Sequence, residues 1–194
     1  MTRSPTLTAI NTTIRYRLAT HLRNQSKNEL YAGLDRILRI YNNSGYRVGS
    51  IHCDREFRPL LESVCDNMDI SIHCPPAGAH VPEAEQNIRV IKERVRITYY
   101  NTPFKRCPHL MNRMMVLNAV TQLNLVPAKG GVSKYFSPHT IMRHQPLDWD
   151  KHCRYGFGTY VQANQDSDPT NTNAPWTIDG IYLRPYWSRH GATR

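Results

Sequence analysis

Between Ser4 and Leu22 apolar and polar residues alternate, with Leu7, Ala9, Ile14, Tyr16 and Leu18 among the apolar positions and many β-branched residues around them. A period of two predicts two short antiparallel strands, joined through a weak turn at Asn11-Thr12-Thr13. The period then lengthens. After Ser26, a natural helix cap, Leu30, Leu34, Ile37, Leu38 and Tyr41 recur at helical spacing until Asn43-Ser44-Gly45 stops them.

Tyr46 to Asp54 predicts a short buried strand ending in an acid, and Phe57, Leu60, Leu61 and Val64 mark a helix with Pro59 in its first turn. Ile70 to Cys74 is expected to form another strand. The segment from Cys74 to Pro82, with three prolines and a glycine, is expected to be a loop. A long helix from Glu83 to about Tyr100 follows, then a Met-rich one from His109 to about Leu125 beyond the Pro103 to Pro108 break. Periodicity fades after Pro127, and no internal repeat stands out. Phe157 to Ala163 and Thr177 to Leu183 are expected strands around a polar loop, either a hairpin or the beginning of a small β module. The order fits an α/β domain over residues 1–127, with 128–194 as a β-rich segment behind it.

Charge narrows the choice of partner. Lys and Arg number 25 against 15 Asp and Glu, a formal charge of +10, which favours a polyanion. The five cysteines include no C-x-x-C pair, and the nine histidines supply no zinc-finger spacing, so the thiols are expected reduced and mostly buried. No signal peptide is evident and no apolar run approaches the roughly 18 residues of a membrane span, so the expectation is a soluble, intracellular protein without a membrane partner.

The pair that suggests chemistry is Asp54, at a strand end, and Glu83 or Glu85, at a helix head. Two divalent ions about 3.5–4 Å apart, held by carboxylates, can activate one oxygen and stabilise another during phosphoryl transfer. Each acid also has an ordinary explanation. Asp54 could cap the following helix, and Glu83 and Glu85 could complement a helix dipole. The helix itself decides. With Glu85 at zero and 100° per residue, Arg89, Lys92 and Arg96 fall at about +40°, −20° and +20°, one face, with Ala84, Ile88, Ile91 and Val95 on the adjoining stripe. Glu83 points away from that row, leaving Glu85 as the preferred ligand and Glu83 in reserve. From Arg89 to Arg113 there are seven Lys or Arg and one acid, Glu93, so local pairing cannot neutralise them. A row of such cations can grip a phosphate backbone.

Asp54-Arg55-Glu56-Phe57, the proline-rich loop, and Val81-Pro82-Glu83-Ala84-Glu85-Gln86-Asn87-Ile88-Arg89 with Lys92-Glu93-Arg94-Val95-Arg96 resemble the integrase core of copia-type LTR retrotransposons. Asn124 to Pro127, Ser137-Pro138 and Phe157-Gly158-Thr159-Tyr160-Val161 resemble the segment after that core. The resemblance implies an RNase H-like mixed sheet flanked by helices and the DDE polynucleotidyl transferase mechanism. In that mechanism three carboxylates hold two Mg²⁺ (or Mn²⁺) ions and join a DNA 3′-end to target DNA. Asp54 and Glu85 match the second and third carboxylates. Arg89 and Lys92 match cations that contact the DNA end, and Arg94 and Arg96 extend the basic segment. It further implies DNA as partner, a homo-oligomer within a full integrase, and work in cytoplasm and nucleus.

The chain departs from the family at several points. The Asn-Gly pairs after the second aspartate and before the glutamate are absent, and the spacing from Asp54 to Glu85 is shorter than is common. No Asp or Glu precedes Glu29, so the first carboxylate and its opening strand are missing. Met1 is therefore expected to be an internal methionine of a longer polyprotein or the start of a decayed element, with little or no strand transfer. Binding to DNA without catalysis, or an assembly role for the Met-rich helix, are the alternatives. For Met111, Met114, Met115, Leu117 and Val120 a core stripe is the commoner explanation.

Overall fold

The computed structural model describes residues 5–61, 67–76, 81–164 and 176–185. Val64, Cys65, residues 77–80 of the proline-rich loop, and most of the polar loop before Trp176 lie outside them. Strands β1 (Thr6–Ile10) and β2 (Arg17–His21) form the expected antiparallel hairpin, with Leu7 opposite Thr20 and Ala9 opposite Leu18. The turn is built by Asn11, whose Oδ1 accepts from the backbone N–H groups of Thr13 and Ile14.

Helix α1 (Lys27–Asn43) starts at Ser26, whose hydroxyl accepts from the Glu29 N–H, and ends where Gly45 takes φ +81°. Its buried side presents Leu30, Leu34, Ile37, Leu38 and Tyr41 to one face of the hairpin, the face that carries Leu7. The helix comes in close because Gly33 sits there. A Cβ at that position would stand 2.6 Å from Leu22 Cδ2 and 3.2 Å from Leu7 Cδ2. Helices α2 (Pro82–Asn101) and α3 (His109–Leu123) cover the other face, where Thr6 and Thr8 meet Ile88, Ile91, Val95 and Met115 around a groove of about 490 Å³. Met111, Met115 and Val120 are buried, so the Met-rich stripe is core.

Strands β3 (Ser50–His52) and β4 (Ser71–His73) pair in parallel. A repeat that escaped the reading of the sequence explains their register. Ser-Ile-His-Cys occurs at 50–53 and again at 71–74, and the two copies align residue for residue. Between them a 3-10 turn, Arg55–Leu60, replaces the first part of the expected helix, and Pro59 lies near its end rather than in its first turn. Leu60 is fully buried in the same core that holds Leu7, Tyr16, Leu34 and Ile70.

Two short helices, α4 (Pro138–Arg143) and α5 (Trp149–His152), stand where periodicity faded. Each is capped by a side chain, Ser137 for the Thr140 N–H and Asp148 for the Lys151 N–H. Met142 of α4 reaches the core with no exposed surface. Strands β5 (Tyr160–Asn164) and β6 (Thr177–Ile181) make the tail a hairpin, antiparallel with Val161 opposite Gly180. The strands described thus form three separate two-stranded ladders rather than one mixed sheet. A two-stranded ladder is marginal alone in water, so the helices on both faces supply its stability.

One side chain ties the second half of the chain to the first. Asn124, just past α3 and only 4% exposed, accepts from the Arg17 N–H through Oδ1 (2.8 Å) and donates through Nδ2 to the Arg17 carbonyl (2.7 Å). Its amide acts as one residue of a neighbouring strand. Its own carbonyl accepts from the His139 N–H at 2.9 Å, which seats α4.

Two outcomes are expected. Asn124→Ala leaves a donor and an acceptor of β2 without partners and should cost about 1–3 kcal/mol in urea denaturation, whereas an unchanged midpoint would show that the contact contributes nothing. His139, 6% exposed, is held at a pKa of about 4 by burial, with the nearby His152 and Arg143 acting in the same direction. Above pH ~6.5 folded and unfolded chains both carry it neutral. Below that the unfolded chain takes a proton that the folded one refuses, so stability falls towards pH 4, by up to roughly 3 kcal/mol from this group. His139→Gln should flatten that part of the stability–pH curve relative to the parent.

Candidate functional site

Asp54 follows β3 by two residues, at the carboxyl edge of the parallel pair. Its position is fixed by the ladder, which the Cys53 N–H extends by donating to the His73 carbonyl at 3.1 Å. Alternation along the strands then places the two repeated residues on opposite faces. His52 and His73 stack with ring centroids 5.1 Å apart, and Cys53 Sγ lies 3.3 Å from Cys74 Sγ. Asp54 is exposed, and its carboxylate makes no capping hydrogen bond to the 3-10 turn that it precedes. The capping explanation for Asp54 therefore fails.

Glu85 and Glu83 are both exposed in the first turn of α2, which begins at Val81 and Pro82 with no side-chain cap. An asparagine within the apolar stripe of that helix sets where its head lies. Asn87, 2% exposed, accepts from Arg17 Nε at 3.1 Å, which anchors the start of α2 to the start of β2. Asn87 interrupts the stripe formed by Ala84, Ile88 and Ile91, a visible signal of a polar anchor. Asp54 is thus placed by the β3–β4 ladder and Glu85 by the contact of Asn87 with Arg17. Among the described residues, no three His, Cys, Asp or Glu side chains gather closely enough to hold a metal ion.

The buried side of α2 agrees with the wheel: Asn87 and Ile91 are buried and Ala84, Ile88 and Val95 half-buried. Glu85, Arg89, Lys92 and Arg96 are all exposed. Arg89 is not free, because its Nε lies 3.3 Å from Glu93 Oε1, the sole acid of the stretch. Both partners are solvated, so the pair is a weak one. No ion pair joins Lys92, Arg94 or Arg96 to an acid among the described residues. Arg94, nine positions after Glu85 on an unbroken helix, is about two and a half turns on and projects from the other side. It does not extend the row. Beyond the row α2 exposes Tyr99 and Tyr100, and Leu110 is exposed at the start of α3.

The chain is similar in structure to the catalytic core domain of BIV integrase, with a TM-score of 0.51 and 16% sequence identity over 72% of this chain and 85% of that one. No family pattern and no curated protein matches the sequence. The chain therefore has an integrase-core-like α/β fold, built on two-stranded sheets among the described residues. No helix among the described residues is long and apolar enough to cross a membrane.

The packing beside Asp54 has a direct readout. Burial, then the contact with Cys74, pushes the Cys53 thiol far up from its ordinary range. At pH 8 a thiol reagent followed by peptide mass mapping is expected to label Cys53 only on unfolding. Rapid labelling in native buffer would show that the carboxyl end of β3 opens.

Proposed function

We propose that this chain is catalytic-core material of a copia-type LTR retrotransposon integrase, which binds DNA along α2 and does not by itself catalyse strand transfer. The observation that carries the reading is the exposed row on α2. Glu85 heads a line of Arg89, Lys92 and Arg96 on a fold resembling an integrase core. Guanidinium and ammonium groups in such a line suit successive phosphates, and they release counterions when they bind.

The residues described do not make a complete site for a pair of Mg²⁺ or Mn²⁺ ions. Asp54 and Glu85 are hard oxygen donors of the right chemistry, but the β1–β2 hairpin carries no further acid. No catalytic step is assigned to the chain for that reason. A homo-oligomer within a full integrase, working in cytoplasm and nucleus, belongs to the same reading. The buried Met111 and Met115 do not favour the Met-rich face as an assembly surface.

Titration of a fluorescent duplex at several salt concentrations tests the binding half. Arg89→Ala with Lys92→Ala should weaken binding and lower the salt slope by about 1.8, two phosphates at roughly 0.9 each. Glu85→Ala should leave affinity unchanged or slightly higher. Equal effects from both variants would refute a role for the row. For the catalytic half, a donor duplex with Mg²⁺ or Mn²⁺ should give little or no joined product. Robust joining that vanishes in Asp54→Asn would overturn it.

A further inference from the structure

The Ser-Ile-His-Cys repeat does more than set a register. Along each strand, alternation puts the isoleucine and the cysteine on one face and the histidine on the other. Ile51 and Ile72 pack against the hydrophobic core, so Cys53 and Cys74 continue the core-facing row at the carboxyl edge of the ladder. His52 and His73 stack on the outer face, which takes both imidazoles away from the sulfurs. The hydrogen bond from the Cys53 N–H to the His73 carbonyl carries the like-to-like register one residue past β3. Two thiols separated by 21 positions thereby stand with their Sγ atoms 3.3 Å apart.

We infer that Cys53 and Cys74 form a reversible disulfide that clamps the carboxyl edge of the β3–β4 ladder, through exchange with a low-molecular-weight disulfide. Such a bond needs Cα atoms about 4.4–6.8 Å apart and side chains that face each other. Neighbouring strands lie about 4.7–4.9 Å apart, and the two cysteines share a face. The sulfurs have to close from 3.3 Å to about 2.05 Å. Rotation of the side chains can supply that movement while the ladder stays paired. Both thiols are free in the structure, which is therefore the reduced member of the couple.

Access fixes the order of events. Cys74 is half-buried and Cys53 buried, so Cys74 meets the reagent first. Its thiolate attacks one sulfur of the small disulfide, releases one small thiol and keeps the other half as a mixed disulfide. Cys53, already in contact, then gives up its proton and attacks the Cys74 sulfur, which expels the second small thiol. One small disulfide is reduced to two thiols while the two protein thiols are oxidised to one disulfide, and no other oxidant is needed. A ladder of three residue pairs is marginal by itself. The new bond closes the chain from 53 to 74 and holds together the edge beside Asp54.

The inference depends neither on DNA binding along α2 nor on a metal site. The whole chain, reduced and then freed of reductant, is incubated at pH 8 with oxidised glutathione. Free thiols are blocked, and cleavage after Lys and Arg and before Asp puts each of the five cysteines on its own peptide. The expected product has lost two hydrogens and yields a linked Cys53–Cys74 peptide pair that dithiothreitol separates. Its folding equilibrium constant, from urea denaturation, should exceed that of the reduced chain roughly a hundredfold, the effect of closing a loop of this length. Cys53→Ser should stop the exchange at a glutathione adduct on Cys74, and Cys74→Ser should leave Cys53 unmodified in native buffer. Mapping of the parent decides the matter even where a serine variant fails to fold. The proposal is overturned if the native parent keeps both thiols, stops at an adduct on Cys74, or links either one to Cys65, Cys107 or Cys153. It is also overturned if the Cys53–Cys74 bond forms only after urea has unfolded the chain, or if the oxidised and reduced chains unfold at the same urea concentration.

Discussion

A junction between the first and second halves of this chain lies at Asn124. A strand edge offers an N–H and a carbonyl that water or another strand must satisfy. Here a side chain from past the end of α3 satisfies both at Arg17 and stops the hairpin from adding a strand at that point. The same residue holds the His139 N–H. Since α4 carries Met142 into the core, the placement of α4 against α1 follows from where β2 begins. Arg17 then passes the constraint onward through Nε to Asn87. One residue at the start of β2 thereby positions the tail of α3 and the head of α2, and with it Glu85.

The hairpin works as a plate between two helical layers. Its Leu7 face meets α1 and its Thr6 face meets α2 and α3, so its own pairing contributes less than what is packed on either side. That arrangement accounts for a fold like an integrase core with so few strands in each ladder. The unpaired edges of β1 and β2 also have different characters. That of β1 lies beside a groove under α2 where Ile88, Ile91, Val95 and Met115 meet Lys92 and Arg96, whereas that of β2 opens on arginine and histidine.

What could be read from the residues follows the length over which each signal persists. α1 and α2 run for 17 and 20 residues and show their stripes plainly. α4 and α5, at 6 and 4 residues, are too short for any period, although Ser137 and Asp148 were present as caps to find them by. The repeated Ser-Ile-His-Cys was equally visible, and it predicts register directly, because identical tetrapeptides in parallel pairing bring like to like. The exposed row of Glu85, Arg89, Lys92 and Arg96 was legible from spacing alone, as was the pairing of Arg89 with Glu93 four residues on. Arg94 was included by proximity in sequence, which a helix does not respect.

A cavity of about 300 Å³ on the β2 edge, with Arg17, His21, His139, Arg143 and Arg184 among its lining residues, was illegible for a different reason. Its cations come from β2, α4 and the chain after β6, with more than 160 positions between Arg17 and Arg184. No local window contains two of these elements, and a surplus of basic residues says nothing about which of them converge. The α2 row and the β2 pocket also differ in kind. Cations along an exposed helix face are solvated, so they bind a polyanion through counterion release and follow salt steeply. At the β2 edge, Arg17 and His21 have already lost part of their hydration, and burial lowers the pKa of each.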